Sequence, residues 1–155
     1  ATAVSGGYAE IALECNAAPN GGMLLLDHTH GAALTSNFTL TAVGWTDDPE
    51  DMPLKYSLFT TSNTSNSSDS SSKSITSIMT SSLLPHHTVR LPMSPAPDHH
   101  LEIVLEVEDA VGAVAVHRGC ALESLDANTQ NVECRVTVMP PATTTDGVLD
   151  VLEGA

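Results

Sequence analysis

Four carboxylates lie close together in the stretch GWTDDPEDMPLKYSL, which covers residues 44–58. They are Asp47, Asp48, Glu50 and Asp51. Calcium binds about six to eight oxygen atoms, so a group of acids is the residue pattern that a calcium site requires. Pro49 interrupts the group, and no glycine supplies the sharp turn of an EF-hand loop. The pattern therefore predicts an acidic turn between two strands, with a weak calcium site as the second interpretation.

These carboxylates do not have the pattern of a catalytic pair. A glycoside hydrolase needs two carboxyl groups at a fixed separation across the bond that it cleaves, and adjacent turn residues rarely provide it. Aromatic residues make up only 3% of the chain, too few for a platform on which a sugar stacks. The sequence also lacks the G-x-S-x-G nucleophile motif. We therefore predict that the protein is not an enzyme and has no catalytic residues.

Histidine is the next residue type that could bind a metal ion. The chain has seven histidines, which are His28, His30, His86, His87, His99, His100 and His117. They would form a zinc site only where their loops converge. The first pair lies in a glycine-rich loop and the two adjacent pairs flank a proline-rich segment, so surface histidines are the preferred interpretation. We predict no cofactor, apart from the calcium of the second interpretation above.

The three cysteines are Cys15, Cys120 and Cys134. They allow one disulfide and leave one thiol over, and they lack the CxxC spacing of a structural zinc site. A Cys120–Cys134 bond would close the last loop, whereas a bond from Cys15 to either of the others would tie the first strand to the last. The sequence leaves these pairings open, and three free thiols are less expected in a secreted protein.

The composition restricts the class of protein. The chain has 155 residues, of which 41% are apolar, enough for one domain with an aliphatic core. Its formal net charge of -14 excludes the clustered Lys and Arg that nucleic acids require, and anionic membrane surfaces would repel it. No apolar run approaches the roughly 20 residues that span a bilayer. Because no signal-like start is present, we expect a processed protein or a piece of a larger one.

Three sequons indicate the compartment. Asn37, Asn63 and Asn66 each begin an N-x-[ST] acceptor pattern for N-glycosylation. Any one of them is a weak signal in a chain rich in Ser and Thr. Together with the low lysine content they favour the secretory pathway.

Alternating apolar and polar residues predict an all-β fold. The alternation runs through YAEIALECN, LTSNFTLTAVGW, LKYSLF, LEIVLEVED and VECRVTV. In the first and last of these, Cys15 and Cys134 are predicted to face inwards. A turn at Asp109–Gly112 predicts a hairpin between LEIVLEVED and AVAVH. Short strands divided by turns predict an antiparallel two-sheet sandwich, Ig-like or fibronectin-III-like, with a jelly roll as the alternative.

Smaller features complete this scheme. Trp45 is predicted to be a core anchor between the sheets, and Val89 with Leu91 a short edge strand. The Ser-rich residues 60–77 predict a flexible, glycosylated loop, because their middle has no apolar side chain to bury. LECNAAPNGG and VECRVTVMPPATTTDG share Glu-Cys, Pro and Gly, which indicates a weak internal repeat or a coincidence.

Several of these residues together resemble a known extracellular module. They are Cys15, Pro19, Gly21, Ala33-Leu34-Thr35, Phe38, Leu40, Gly44-Trp45, Asp47-Asp48, Pro53-Leu54 and Tyr56. The pattern is similar to the repeated module of the REJ (receptor for egg jelly) region of polycystin-1-like proteins and sperm receptors for egg jelly. LEIVLEVEDAVGAVAV is similar to the final hairpin of the same modules and of PKD domains. GWTDDPEDMPLKYSL is the most specific part of the resemblance.

The resemblance implies a module in residues 8–122 and, in residues 123–155, a final strand or the truncated start of a following module. It implies no catalytic residues. The long serine insert departs from the family, and so does the absence of a His-Leu-Thr or His-Leu-Ser self-cleavage tripeptide, since Glu102 follows His100-Leu101. Autoproteolysis is therefore not expected in this segment.

From the residues and the resemblance together we predict a non-enzymatic, extracellular structural or interaction module. It would belong to a larger cell-surface or ciliary glycoprotein and mediate protein assembly or adhesion. Its expected partners are other chains or modules of the same assembly, with attached glycans, no nucleic acid and no membrane contact. The alternative is a calcium-dependent carbohydrate-binding or adhesion module.

Overall fold

The computed structural model describes residues 5–64, 72–94, 97–123 and 134–142. These residues form ten strands and one short 3-10 turn, Pro49–Asp51. The strands are β1 Met23–Leu26, β2 His30–Ala32, β3 Asn37–Val43, β4 Lys55–Thr64, β5 Ser72–Ser82, β6 His86–Arg90, β7 His100–Glu108, β8 Val114–His117, β9 Ala121–Leu122 and β10 Arg135–Met139. Among the described residues no helix is long and apolar enough to cross a membrane.

The strands form two sheets that pack as a sandwich. The first sheet has the order β6-β3-β1-β9, and the second has the order β2-β10-β7-β4-β5, with β8 also paired to β7. All pairings are antiparallel except β1 with β9 and β2 with β10. The chain changes sheet between β1 and β2, so its first two strands tie the two layers together. The all-β two-sheet prediction is therefore confirmed, and the arrangement is compatible with an Ig-like fold.

β8 and β10 pair with different ends of β7. His117 of β8 lies opposite Leu105, and Arg135 of β10 lies opposite Glu102. Between these pairs, the backbone N–H of Cys134 donates to the carbonyl of Arg118 at 2.8 Å. The chain thus leaves β7 after Arg118 and returns to it at Cys134, so that β8 and β10 act as two parts of one interrupted strand. Residues 135–139 belong to the same sandwich as β7, while the predicted module boundaries stay a prediction.

The core lies between the sheets and follows the alternation of the sequence. In β3 and β7 the inward side chains are buried as predicted. They are Phe38, Leu40 and Ala42 in β3, and Leu101, Ile103, Leu105 and Val107 in β7. β7 also forms the predicted hairpin with β8. The fully buried aliphatic side chains carry most of the stabilisation, since each contributes roughly 1.5–3 kcal/mol when it leaves water.

Two strand-level predictions are wrong. Residues 8–16 form no strand, and Ile11 and Leu13 are 78% and 80% exposed. Their alternation fits a strand, but none of the described strands pairs with them. Residues 60–77 are not a loop throughout, because β4 and β5 form a hairpin that includes residues 60–64 and 72–77. Backbone pairing and the β-branched Thr and Ile side chains stabilise this hairpin without an apolar run.

Candidate functional site

The acidic stretch lies at one end of the sandwich, where β7 ends. Asp47 and Asp51 come from the segment between β3 and β4, and Asp109 follows β7 directly. One carboxylate oxygen from each of these three residues lies within 4.8 Å of the other two. Asp48 and Glu50 are exposed and stand outside this group. The structure thus brings together two of the four predicted acids and adds a third from elsewhere in the chain.

Asp109 is fully buried and organises the turn between β7 and β8. Its Oδ1 accepts hydrogen bonds from the backbone N–H groups of Val111, Gly112 and Ala113, at 2.9, 2.6 and 2.9 Å. Its Oδ2 accepts a hydrogen bond of 2.6 Å from Nδ2 of Asn16. One carboxylate therefore satisfies three turn amides and also fixes the segment that precedes β1.

The 3-10 turn is held against this loop through its backbone. The N–H of Asp51 donates to the carbonyl of Asp48 at 3.0 Å, and the N–H of Ala110 donates to the carbonyl of Asp51 at 2.8 Å. Asp47 Oδ1 accepts from the N–H of Asp48 at 2.9 Å. Asp47 Oδ2 is buried and has no hydrogen-bond partner among the described residues. A buried acceptor of this kind would be stabilised by a hydrogen-bond donor or by a cation.

Two carboxylates of the group, Asp51 and Asp109, have pKa values shifted in opposite directions. Burial and the neighbouring charges of Asp109 and Asp47 raise the pKa of Asp51. Burial acts to raise the pKa of Asp109 as well, but the hydrogen bonds from Asn16 and the turn amides outweigh it and lower that pKa. The fold thus stabilises the anion of Asp109, whereas repulsion from the neighbouring carboxylates destabilises the anion of Asp51.

The donor set of this group fits a hard cation better than acid–base catalysis. Asp47 Oδ2 and the Asp51 carboxylate are the oxygens that a calcium ion would take, since Asp109 already uses Oδ1 for the turn amides and Oδ2 for Asn16. Two or three carboxylates supply fewer than the oxygens that calcium prefers, so water or backbone carbonyls would complete the sphere. This is the composition of a weak site.

The sequence did not single out Asp109 as a site residue. It lies far from the acidic stretch in sequence, and its only signal was its position before the Ala-Val-Gly turn. Asp is favoured at such positions because its carboxylate accepts hydrogen bonds from the following amides. That signal predicts a turn and gives no indication of which residues pack against it.

The histidines do not assemble with other ligands in the described parts of the chain, where the aspartate group is the one set of three or more metal-ligand residues. His28 stacks on Phe38 with ring centroids 4.6 Å apart and contacts Asp27. His86 and His87 lie in β6. His117 packs edge-on against Trp45 at 5.6 Å, and burial lowers its pKa.

Trp45 is half-buried and packs on the edge of the core, so it is less enclosed than the predicted anchor. Its ring covers Gly22, where a Cβ atom would collide with the indole. Its indole N–H is buried without a partner among the described residues.

Cys120 and Cys134 form the disulfide, one of the pairings that the sequence left open. Cys15 is a free, exposed thiol, so its predicted inward position is wrong, because residues 8–16 form no strand. Asn37 is exposed on β3, and its Oδ1 accepts a hydrogen bond of 3.1 Å from Nε of Arg90. Asn63 lies in β4, and Asn66 falls outside the described residues.

A charged network that the sequence did not suggest lies on the outer face of the second sheet. Glu102 in β7 contacts Nζ of Lys73 at 2.9 Å and Nη1 of Arg118 at 3.2 Å. Its Oε2 also accepts a hydrogen bond of 2.9 Å from Oγ1 of Thr61. Burial alone would raise the pKa of Glu102, but these three partners outweigh it and lower that pKa. The network joins β4, β5, β7 and the segment after β8.

Comparison with known proteins gives one match. A family model described as the REJ domain matches residues 1–154, which is nearly the whole chain. No curated protein and no solved structure matches the chain significantly.

Proposed function

The chain belongs to the REJ domain family, a family of non-catalytic extracellular modules of polycystin-like proteins, and from this we propose that it is an assembly module of a larger cell-surface glycoprotein. It would bind other chains or modules of the same assembly through its loops and sheet edges. A ciliary location is part of the proposal, in keeping with the polycystin-like relatives of the family.

The observation that best supports this function is that Asp109 and Asp51 stabilise the turn after β7. The buried carboxylate of Asp109 is fully occupied by the amides of the turn and by Asn16. Asp51 supports the same turn through its backbone carbonyl. Acidic residues that hold loops in place in this way are typical of a rigid scaffold whose loops bind partners.

The glycan part of the proposal rests on the geometry of Asn37. Its side chain is exposed, and its contact with Arg90 involves Oδ1, whereas an N-glycan is attached through Nδ2. We expect the chain secreted from eukaryotic cells to lose mass on treatment with an N-glycosidase, and Asn37→Gln to remove part of that loss. Secreted protein whose mass the enzyme leaves unchanged would contradict the glycoprotein proposal.

Binding to the rest of the parent ectodomain tests the assembly role. The secreted chain, immobilised, is exposed to purified ectodomain protein in surface plasmon resonance. Single-module contacts of this type are expected in the micromolar range, roughly -8 kcal/mol. Unfolded chain with the disulfide reduced is the control. Absence of binding by the folded chain at high micromolar concentration would contradict the assembly role.

A second candidate function is calcium-dependent adhesion, favoured by the buried and unpartnered Oδ2 of Asp47 beside Asp51. A calcium ion there would satisfy this oxygen and relieve the repulsion that raises the pKa of Asp51. Binding of this kind would stabilise the loops at this end of the sandwich and make their surface dependent on calcium.

A thermal melt in millimolar calcium and in EDTA tests this candidate. Selective binding to the folded state should raise the midpoint by a few degrees, about 2–4 °C per kcal/mol for a domain near this size. Asp47→Asn with Asp51→Asn should abolish the rise. The matched control is Asp48→Asn with Glu50→Gln, which removes two exposed charges outside the group and should keep it. Equal midpoints in calcium and EDTA would exclude the site.

A further inference from the structure

The segment before β1 has the sequence of a strand but lacks a partner in this sandwich. Residues 5–17 are exposed, and Tyr8 is 92% exposed. In residues 10–14, Ile11 and Leu13 alternate with Glu10, Ala12 and Glu14, which is the pattern of a half-buried strand. Exposure of these apolar side chains to water is unfavourable. We infer from this that another surface covers the segment.

β6 is an edge strand, and no other described strand covers its outer side. It pairs with β3 alone among the described strands. It carries His86 and Arg90 on the solvent face of the sheet, opposite Thr41 and Asn37, and Val89 packs against the core. An exposed edge presents unpaired backbone groups to which another extended chain can add.

We propose that residues 10–14 of one copy add antiparallel to the outer edge of β6 in a second copy. The register places Glu10 opposite Arg90 and Glu14 opposite His86, because both pairs of residues are four apart and therefore lie on one face of a strand. Ile11 then lies opposite Val89, and Leu13 opposite His87. The same register therefore gives opposite charges on the solvent face and places the apolar Ile11 beside Val89 on the core face.

The existing contacts of β6 leave it free for this role. The Arg90 guanidinium uses Nε for Asn37, so its two terminal nitrogens remain for a carboxylate. His86 contacts Oγ1 of Thr41 through Nδ1 and has its Nε2 for a second partner. A glycan on Asn37 would project from the face of the sheet, whereas the added strand would extend its edge.

The contact of Asn16 favours a second copy as the source of the strand. Asn16 is hydrogen-bonded to Asp109 at the end of β7, in the second sheet, and it lies two residues after Glu14. β6 is the outer edge of the first sheet. A second copy can supply residues 10–14 without breaking the bond to Asp109, and reciprocal exchange between two copies closes a two-fold dimer.

This inference deepens the proposed assembly function and rests on it, since it identifies one partner as another copy of the same module. Its failure is distinguishable from failure of the assembly role. A chain that stays monomeric but binds the rest of the parent ectodomain, without this module, would overturn the present inference alone. A chain that dimerises but binds no ectodomain protein would overturn only the contact with other ectodomain modules.

Charge reversal tests the register in solution. All proteins carry Cys15→Ser, because the exposed thiol could link two copies covalently. Sedimentation velocity over roughly 1–200 µM, which spans the range of weak module contacts, should detect a dimer of the otherwise wild-type chain. Glu10→Arg with Glu14→Arg, and separately His86→Glu with Arg90→Glu, should each weaken dimerisation by about tenfold or more, because like charges then face each other.

The decisive sample is an equimolar mixture of the two reversed proteins. Each then offers the other a segment and an edge of opposite charge, so the dimer should return in the mixture although neither protein dimerises alone. Asp48→Arg with Glu50→Arg is the control for the reversed segment, since it makes the same change in net charge as Glu10→Arg with Glu14→Arg at exposed residues outside both strands.

Hydrogen exchange gives an independent measurement on the same samples. The amides of residues 10–14 and of β6 should exchange more slowly in the dimer. A wild-type chain that is monomeric at every concentration would overturn the proposal. Dimerisation that survives both reversals, or that the mixture fails to restore, would also overturn it.

Discussion

Cys120 is bonded to Cys134 at the place where the chain leaves β7 and comes back to it. The N–H of Cys134 donates to the carbonyl of Arg118, and its carbonyl accepts from the N–H of Ile103, each at 2.8 Å. The disulfide therefore closes the base of the excursion that carries β9 and separates β8 from β10. β9 lies in this excursion and pairs with β1 of the other sheet.

Removing this disulfide should destabilise the whole sandwich. The two cysteines are 14 residues apart, and closing a loop of that length lowers the entropy of the unfolded chain by an amount worth about 3 kcal/mol. We expect Cys120→Ala with Cys134→Ala to reduce the free energy of unfolding in urea by about 2–4 kcal/mol.

Cys15→Ala is the matched control, because this thiol is free and exposed. It should leave the urea midpoint unchanged. A double variant as stable as the wild type would show that the excursion is held by its β9 contacts and not by the disulfide.

Gly22 and Trp45 predict a second measurable effect. A Cβ atom at position 22 would overlap the indole ring, so Gly22→Ala must displace Trp45 from its place on the core. Overpacking of this kind costs about 1–3 kcal/mol. Because Trp45 is the only tryptophan, we also expect its fluorescence emission to shift to longer wavelength.

The control is Gly7→Ala, since an added Cβ there meets no atom within 4 Å. It should change neither the emission spectrum nor the stability. An unchanged spectrum in Gly22→Ala would contradict the contact between residues 22 and 45.

The clearest sequence-based success is β7. Its inward and outward residues could be assigned from LEIVLEVED alone, because a strand that is buried on one face must alternate with a period of two residues. The same reasoning failed for YAEIALECN, where the alternation is equally good. Alternation indicates that a segment can form a strand. Whether it does so depends on a free sheet edge with which it can pair, and the sequence does not show which edges are free.

Contacts between distant residues were also beyond the sequence. The group of Asp47, Asp51 and Asp109 depends on the end of β7 lying beside the 3-10 turn, which is a property of sheet order. The hairpin of β4 and β5 differs from the loop that the low apolar content of residues 60–77 predicts. Hydroxyl side chains pair well on the polar face of a sheet, so apolar content alone is a poor measure of strand formation.

Stability should depend on pH in two opposite ways. The pKa of Asp109 is lowered in the folded state, so its contribution is fully present above the unfolded value, near 3.8, and is lost as the pH falls through the folded pKa. Glu102 and Asp27 have lowered pKa values too and act in the same direction. The raised pKa of Asp51 has the opposite effect, since protonation of this residue relieves repulsion in the folded state.

The lowered pKa of His117 removes stability as the pH falls below its unfolded value, near 6.5, in the wild type and in Asp51→Asn alike. We therefore expect Asp51→Asn to be more stable than the wild type at about pH 7, and this difference in urea midpoint to shrink as the pH falls through the pKa of Asp51. Both midpoints should drop sharply below about pH 4. The variant should keep this acid loss, because Asp109 is unchanged. A difference in midpoint between the two proteins that does not change with pH would contradict the repulsion at Asp51.

The network around Glu102 should make a modest and salt-dependent contribution to stability. The Glu102 side chain is only 19% exposed, but those of Lys73 and Arg118 are 42% and 51% exposed, so solvent screens both ion pairs. We expect Glu102→Gln to lower the free energy of unfolding by about 1 kcal/mol at low salt. The difference from the wild type should shrink as salt is added, because salt screens exposed charges.

Glu106→Gln is the control for this variant, because it makes the same chemical change on the same face of β7 at a residue outside the network. Its effect on the urea midpoint should be small at every salt concentration. If the two variants lose the same stability, the loss belongs to the net charge of the sheet face. A loss confined to Glu102→Gln that fades with salt assigns it to Lys73 and Arg118, and so to the contact between β5, β7 and the segment after β8.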